Sequence, residues 1–298
     1  MNSVYIYLPR LHWQLGDENY AVVIEQLIEK LAKKNTGFCE VLAYPEEQAL
    51  EIIDESANEW NREILVITDS AMVAKHCSEW MIPYGVVLCR GNQGDSFPQG
   101  AYCMESLLDV EYDYLERIFQ RGRGLPWTIL ETPRLIVREI MIEDVSRLYE
   151  LYEEEEITAY MEGLFPTIQE EEEYTEKYIK NVYHFYGYGM WVLIEKTSGE
   201  LIGRAGLEYH DDFDGLELGF MLGKQYWHKG YAYEACNAIL EYGKEELEQH
   251  SYRALVHYKN MASRRLCEKL GFEEYGTVDL NGASHIDYRM KLNKKAFC

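Results

Sequence analysis

Basic residues are scarce in this chain. Lys and Arg number 29 against 52 Asp and Glu, a formal charge of −23 at pH 7. That excludes a nucleic-acid backbone as the main partner, because phosphate neutralisation takes clustered Lys and Arg. Basic peptides, polyamines and small amines remain plausible partners. Long apolar runs are also missing. None approaches the roughly 20 residues that a transmembrane helix needs, and the start, MNSVYIYLPR, lacks the basic-then-apolar pattern of a signal peptide. No membrane partner is expected. Seven cysteines form no CxxC pair. Most sit in apolar contexts, so they read as buried free thiols in a reducing cytoplasm. No His, Cys and Asp cluster has metal-ligand spacing, and no metal is expected. No internal repeat is visible.

What is present is a globular composition. The chain has 298 residues, 47% hydrophobic and 27% charged, enough for one large or two ordinary domains. In the first part, strands are expected at Ser3–Leu8, Phe38–Tyr44, Ile64–Thr68, Gly85–Cys89 and Ala101–Met104. Helices are expected at Asp17–Asn35, from Pro45 to Ala57, after an Asp69-Ser70 cap, and at Leu107–Gln120. Alternating strands and helices predict a small doubly wound, Rossmann-like α/β domain. Gln120–Trp127, with two Gly and a Pro, is the linker candidate. The expected domains are 1–124 and 125–298.

After the linker the spacing predicts a strand over Thr132–Glu139 and a helix over Ile142–Tyr152. Two glutamate runs, Glu153–Glu156 and Glu170–Glu173, flank a loop, and Tyr174–Tyr186 reads as a second helix. Such runs are by default solvated faces; the sharper expectation is that they attract a cationic acceptor. Trp191–Glu195 and Leu201–Tyr209 form a hairpin. Arg253–His257 is a strand, and Ser263–Leu270 a helix stopped by Gly271. Tyr275–Leu280 and His285–Leu292 close the chain as a hairpin around Asn281-Gly282.

Between these lies the most informative stretch, Leu216–Ala238. An apolar strand, Leu216–Leu222, passes through a turn holding His228, Lys229 and Gly230 into a helix from Ala232. Strand, glycine turn and helix present backbone N–H groups and a helix N-terminus to an anion. An ordinary strand-to-helix turn would read the same way. Glu217 is a carboxylate in an apolar strand, where desolvation raises its pKa toward that of a general base; the alternative is a solvated strand face. Glu208 and His210 are reserve candidates. Cys236 and Cys267 fall at core spacing.

The order from Thr132 to Leu292 resembles the GNAT superfamily of acyl-coenzyme A-dependent N-acyltransferases, in the branch of the ribosomal-protein alanine acetyltransferases. The likeness spans roughly 160 residues, an ordinary domain. It rests on TPRLIVREI, LELGFMLGKQYWHKGYAYEA and NMASRRLCEKLGF, in that order. The resemblance implies a mixed, mostly antiparallel sheet and acetyl-coenzyme A as cosubstrate. The family's phosphate-loop signature, Gln/Arg-x-x-Gly-x-Gly/Ala, falls on Trp227, His228, Lys229, Gly230, Tyr231 and Ala232, with Trp227 in place of the polar first residue. Phe220, Met221 and Leu222 would lie along the pantetheine arm, where the family's fourth strand splays from its fifth. Glu217 takes the place of the general base. Asn260 would bond the arm and Ser263 would donate to the leaving thiolate, with Tyr258 as an alternative acid; Asn and Ser are equally ordinary helix caps. The implied acceptor is a primary amine, on a small molecule or a peptide N-terminus, and a homodimer is an open alternative. The competing reading is a coenzyme A-binding regulatory protein without turnover.

The first domain faintly resembles haloacid-dehalogenase-like hydrolases. Those phosphatases need an Asp-x-Asp pair at the end of the first strand, and Tyr5-Ile6-Tyr7-Leu8-Pro9-Arg10 has none. The domain reads as noncatalytic, serving stability, partner binding or small-ligand sensing.

Overall fold

A computed structural model describes residues 1–42, 45–60, 63–280 and 282–291. These divide into two compact units, Met1–Trp127 and Thr128–Cys298.

The first unit runs β1 (Ser3–Tyr7), α1 (Pro9–Leu15), α2 (Asp17–Ala32), β2 (Gly37–Glu40), α3 (Glu46–Glu59), β3 (Ile64–Thr68), α4 (Ala71–Glu79), β4 (Tyr84–Val87), β5 (Tyr102–Met104) and α5 (Tyr112–Gly122). All five strands are parallel, in the order β2-β1-β3-β4-β5. Side chains alternate across a strand, and β3 shows the consequence. Leu65 and Ile67 join one apolar cluster with Leu27, Leu31, Leu115 and Ile118 of α2 and α5. Ile64 and Val66 join another with Ala49, Ile53, Val73 and Cys77 of α3 and α4. Helices on both faces make this the doubly wound α/β domain expected, and they explain why β3 reads as an unbroken apolar run.

Three local expectations are corrected. The strand expected over Ser3–Leu8 ends at Tyr7, and Pro9 starts α1, where its missing N–H costs nothing. The helix expected from Leu107 begins at Tyr112; Lys30 binds the carbonyls of Leu108 and Val110 at 2.9 and 2.7 Å, so that segment stays irregular. The expected strand Phe38–Tyr44 ends at Glu40, and Ala43 and Tyr44 lie outside the described residues. Asp69, wholly buried at the carboxyl end of β3, accepts the Leu11 N–H at 2.6 Å. Ser70, not Asp69, caps α4, accepting the Val73 N–H at 3.2 Å.

The second unit runs β6 (Thr128–Glu131), β7 (Leu135–Arg138), α6 (Val145–Tyr152), α7 (Glu155–Thr158), α8 (Ile168–Tyr178), α9 (His184–Tyr186), β8 (Met190–Glu195), β9 (Leu201–Tyr209), β10 (Leu216–Leu222), α10 (Tyr231–Glu245), β11 (Ser251–His257), α11 (Met261–Leu270), β12 (Glu273–Leu280) and β13 (Ala283–Lys291). Its sheet order is β12-β13-β11-β10-β9-β8-β7-β6, antiparallel except for β10 with β11. This is the mixed, mostly antiparallel sheet expected. Strand β6 was not expected; it is four residues long and folds back on β7 with an irregular register, too short for alternation to show. The helix expected from Tyr174 begins at Ile168, because Thr167 and Glu170 form a reciprocal cap. The second glutamate run is therefore helical, and Glu171 within it is buried. Asn281 and Leu292 of the closing hairpin lie outside the described residues.

Candidate active site

The site begins where β10 and β11 part. They pair only at Leu216 with Tyr252 and Glu217 with Arg253. Beyond that, β10 stays bonded to β9 as far as Leu222, and β11 stays bonded to β13 as far as His257. The facing edges of Leu218–Leu222 and 254–257 thus lack each other as partners. A cavity of 560 Å³ occupies the opening, lined by Leu218, Phe220, Met221, Ala254 and Val256 among others.

Asn260 and Ser263 line the same cavity. Asn260 is the N-cap of α11 and accepts the Ser263 N–H at 3.1 Å. That bond uses the Asn260 side-chain oxygen and the Ser263 backbone, so capping does not engage the Ser263 hydroxyl. Tyr258 is half exposed and is not among the lining residues. Leu222 and the loop Trp227 to Ala232 also stand outside the cavity lining.

Glu217 faces the cavity directly opposite Glu208 of β9. Its Oε2 accepts the Arg253 Nε–H at 2.7 Å, and His210 Nε2 lies 3.8 Å away. Arg253 in turn holds Asp212 through two bonds of 2.7 and 2.8 Å. Burial raises the Glu217 carboxyl above its ordinary value; His210 and Arg253 oppose that, and Glu208 adds to it. No Glu217 Oε1 bond forms among the described residues. Sequence reasoning found Glu217 but missed Arg253. The only signal was a charged residue inside the apolar strand Tyr252–Val256.

The loop before α10 has two left-handed residues, His228 (φ 61°) and Gly230 (φ 83°). Gly230 is the N-cap of α10, and no side chain caps that helix. Its first-turn N–H groups are therefore available to an anion. Arg134 braces the loop: its guanidinium binds the Lys229 carbonyl at 2.9 Å and Glu234 at 2.6 Å, and stacks 4.3 Å from the Tyr231 ring. Trp227 donates its indole N–H to the Leu222 carbonyl at 2.8 Å, tying the loop to the end of β10. Its unusual place in the signature thus has a structural use.

Arg204 of β9 also lines the cavity, beside Tyr152, Glu171 and Tyr178. It was not singled out from the sequence, although a cation in LIGRAGLEY breaks the apolar pattern.

A model of the acetyltransferase (GNAT) domain matches residues 134–273. The uncharacterized protein YkkB of Bacillus subtilis is 30% identical over 156 residues, which are 51% of this chain and 88% of the relative. The chain belongs to the GNAT acetyltransferase family. A second relative, the uncharacterized N-acetyltransferase p20 of Bacillus licheniformis, is 30% identical over 151 residues, 50% of this chain and 84% of that one. The ribosomal protein uS5 alanine N-acetyltransferase of Escherichia coli is 28% identical over 169 residues, covering 53% and 85%. A solved GNAT-family acetyltransferase of Bacillus anthracis superposes with a TM-score of 0.47 at 23% identity, over 54% of this chain and 97% of that one. By class the protein is an N-acetyltransferase. GNAT acetyltransferases use acetyl-coenzyme A. No helix among the described residues is long and apolar enough to cross a membrane.

Proposed function

We propose that this GNAT protein binds acetyl-coenzyme A in the β10–β11 opening and passes its acetyl group directly to a primary amine held in the same cavity. The observation that carries the reading is the parting of β10 from β11 after Glu217 and Arg253. Unpaired strand edges are costly in a folded protein, and a pantetheine arm, rich in amides, can bond to them as a strand does. The loop fits the diphosphate: Gly230 sits in the left-handed region with nothing closer to its missing Cβ than the Arg134 guanidinium at 3.5 Å.

The cosubstrate supplies a thioester; the amine nitrogen bonds the acetyl carbon as the carbon–sulfur bond breaks and the thiolate leaves. Phe220, Met221 and Leu222 hold the arm by their backbone, and Asn260 adds a polar contact. The N–H groups of Trp227 to Ala232 take the diphosphate. Glu217 receives the amine proton at Oε1, while Arg253 fixes Oε2 and so sets the orientation of the carboxylate. The Ser263 hydroxyl donates to the leaving sulfur, with Tyr258 as the alternative donor. The acceptor is a small amine or a peptide N-terminus, and both reactants are bound together before transfer. Residues 1–124 take no part in the chemistry. The buried thiols Cys77, Cys89, Cys236 and Cys267 support a reducing compartment such as the cytoplasm.

Thiol release from acetyl-coenzyme A, with a panel of primary amines and short peptides, tests this. Turnover is expected with at least one acceptor, and Glu217→Gln is expected to lower kcat/KM by about 10²-fold or more, the usual worth of a general base. Calorimetric binding of coenzyme A with no turnover on any amine would replace the proposal with a sensing role.

A further inference from the structure

The cavity wall carries an arginine that the transfer reaction does not use. Arg204 projects from β9, in the strand position facing Met221 of β10, and lines the cavity. Its side chain is half-buried as a whole, but its Nε is shielded from solvent and has no hydrogen-bond partner among the described residues. The hydroxyls of Tyr152, Tyr183 and Tyr178 and the Glu208 carboxylate interact with it electrostatically, and Tyr152 is hydrogen-bonded to it. Among the described residues it makes no ion pair with a carboxylate.

The carboxylates around it are already engaged. Glu171 accepts the Phe165 N–H at 2.9 Å. Glu208 accepts the Tyr178 hydroxyl at 2.8 Å. Glu217 is held by Arg253 at 2.7 Å. A guanidinium nitrogen shielded from water and left unpaired is expensive, and the expense falls when an anion enters and takes the planar, two-pronged geometry that Arg favours.

We propose that Arg204 is the specificity-determining residue of the acceptor subsite, and that the acceptor carries a carboxylate as well as its amine. The inference rests on the transfer reading above. The cavity then has two poles. Glu217 and Glu208 lie side by side at one end, where the amine is activated. Arg204 lies four residues along β9 from Glu208, roughly 13 Å of strand at about 3.3 Å per residue. The acceptor's two charged groups are therefore separated by several bonds. An ω-amino acid or the carboxylate of a short peptide fits; a bare alkylamine leaves Arg204 unpaired.

The test compares matched acceptors that differ only in the anion: 6-aminohexanoate with hexylamine, and the tripeptide Ala-Ala-Ala with its C-terminal amide. In the wild-type protein the carboxylate member of each pair is expected to have a kcat/KM at least about tenfold higher, the size of a charge-assisted hydrogen bond. Arg204→Met is expected to bring the ratio within each pair to about one, chiefly through the KM of the carboxylate member. Arg204→Lys, which keeps the charge but not the fork, is expected to fall between. A wild-type preference for the bare amine in both pairs overturns the proposal without any variant. So does an Arg204→Met protein in which both members lose activity with their ratio intact, the mark of a structural role. If no amine is turned over, the transfer reading itself fails. The subsite is then judged by calorimetric binding of hexanoate in the presence of coenzyme A, which Arg204→Met is expected to abolish; absence of wild-type binding overturns it.

Discussion

Two carboxyls in this chain have been pushed upward by burial, and they predict opposite things. Glu217 is raised by desolvation despite Arg253 and His210. As a proton acceptor it works only when ionised. Activity should therefore fall as pH drops through its raised pKa, placing the ascending limb of the kcat/KM profile above the ordinary carboxylate range. Glu217→Gln should remove that limb; a limb that survives the substitution assigns it to another group. Asp69 is raised to about 6 by burial, with the Leu11 and Arg10 backbone N–H groups opposing. A carboxyl whose folded pKa exceeds its unfolded value of 3.8 binds protons more tightly when folded. Its contribution to stability is present below the unfolded pKa and is lost as pH rises to about 6, a loss of about 3 kcal/mol. Asparagine keeps an oxygen for the Leu11 N–H and never ionises. Asp69→Asn should thus raise stability by about 1–3 kcal/mol at neutral pH and by nothing once both forms are protonated. Denaturant midpoints of the two proteins, measured on either side of that window, check it; equal midpoints throughout remove the strain assigned to Asp69.

At the scale of elements, the loop between β10 and α10 combines a conformational requirement with a brace. Gly230→Val puts a branched side chain at φ 83°, a strain of about 1–2 kcal/mol, and crowds Arg134. The expected result is a KM for acetyl-coenzyme A raised about tenfold with kcat at saturation much less affected, since the loop binds but does not react. Trp227→Phe keeps the ring and removes the donor to the Leu222 carbonyl, so it should cost about 1 kcal/mol of stability and raise the same KM more mildly. Initial rates against acetyl-coenzyme A separate these outcomes from a general loss of kcat. How much of this was legible in the sequence follows from the range of the interactions. The strand-turn-helix of Leu216–Ala238, the Asn260 cap and the Gly271 stop are local, and local chemistry is written in adjacent letters. Trp227's bond to Leu222 is nearly local, yet it needs a turn geometry that composition does not specify. Arg253 finds Glu217 across 36 residues, and Arg134 finds Glu234 across 100. Arg204 becomes notable only once its neighbours are known to be tyrosines. Strand β6 was invisible because four residues are too few for a period to emerge.

At the scale of the whole molecule, the sheet of the second unit is continuous except where β10 leaves β11, and that break sets where a ligand can change the protein. Backbone groups already bonded within a ladder gain little from a ligand. Those on the facing edges of Leu218–Leu222 and 254–257, and at the uncapped start of α10, have the most to gain. Coenzyme A should therefore slow amide hydrogen exchange at those two edges and in the residues from Trp227 to Tyr233. It should leave β12 and β13 and the sheet of Met1–Trp127 unchanged, because none of these elements lines the opening. The stabilisation behind that protection grows with ligand excess, about 2.7 kcal/mol at a hundredfold over Kd. Exchange measured with and without coenzyme A gives a map with one expected shape. Protection centred on β1, β3 or the residues after them would move the coenzyme site to the first unit and sink the assignment made here. Protection spread evenly over the second unit would mean that the opening closes as a whole, and that β10 and β11 pair further when the arm is bound.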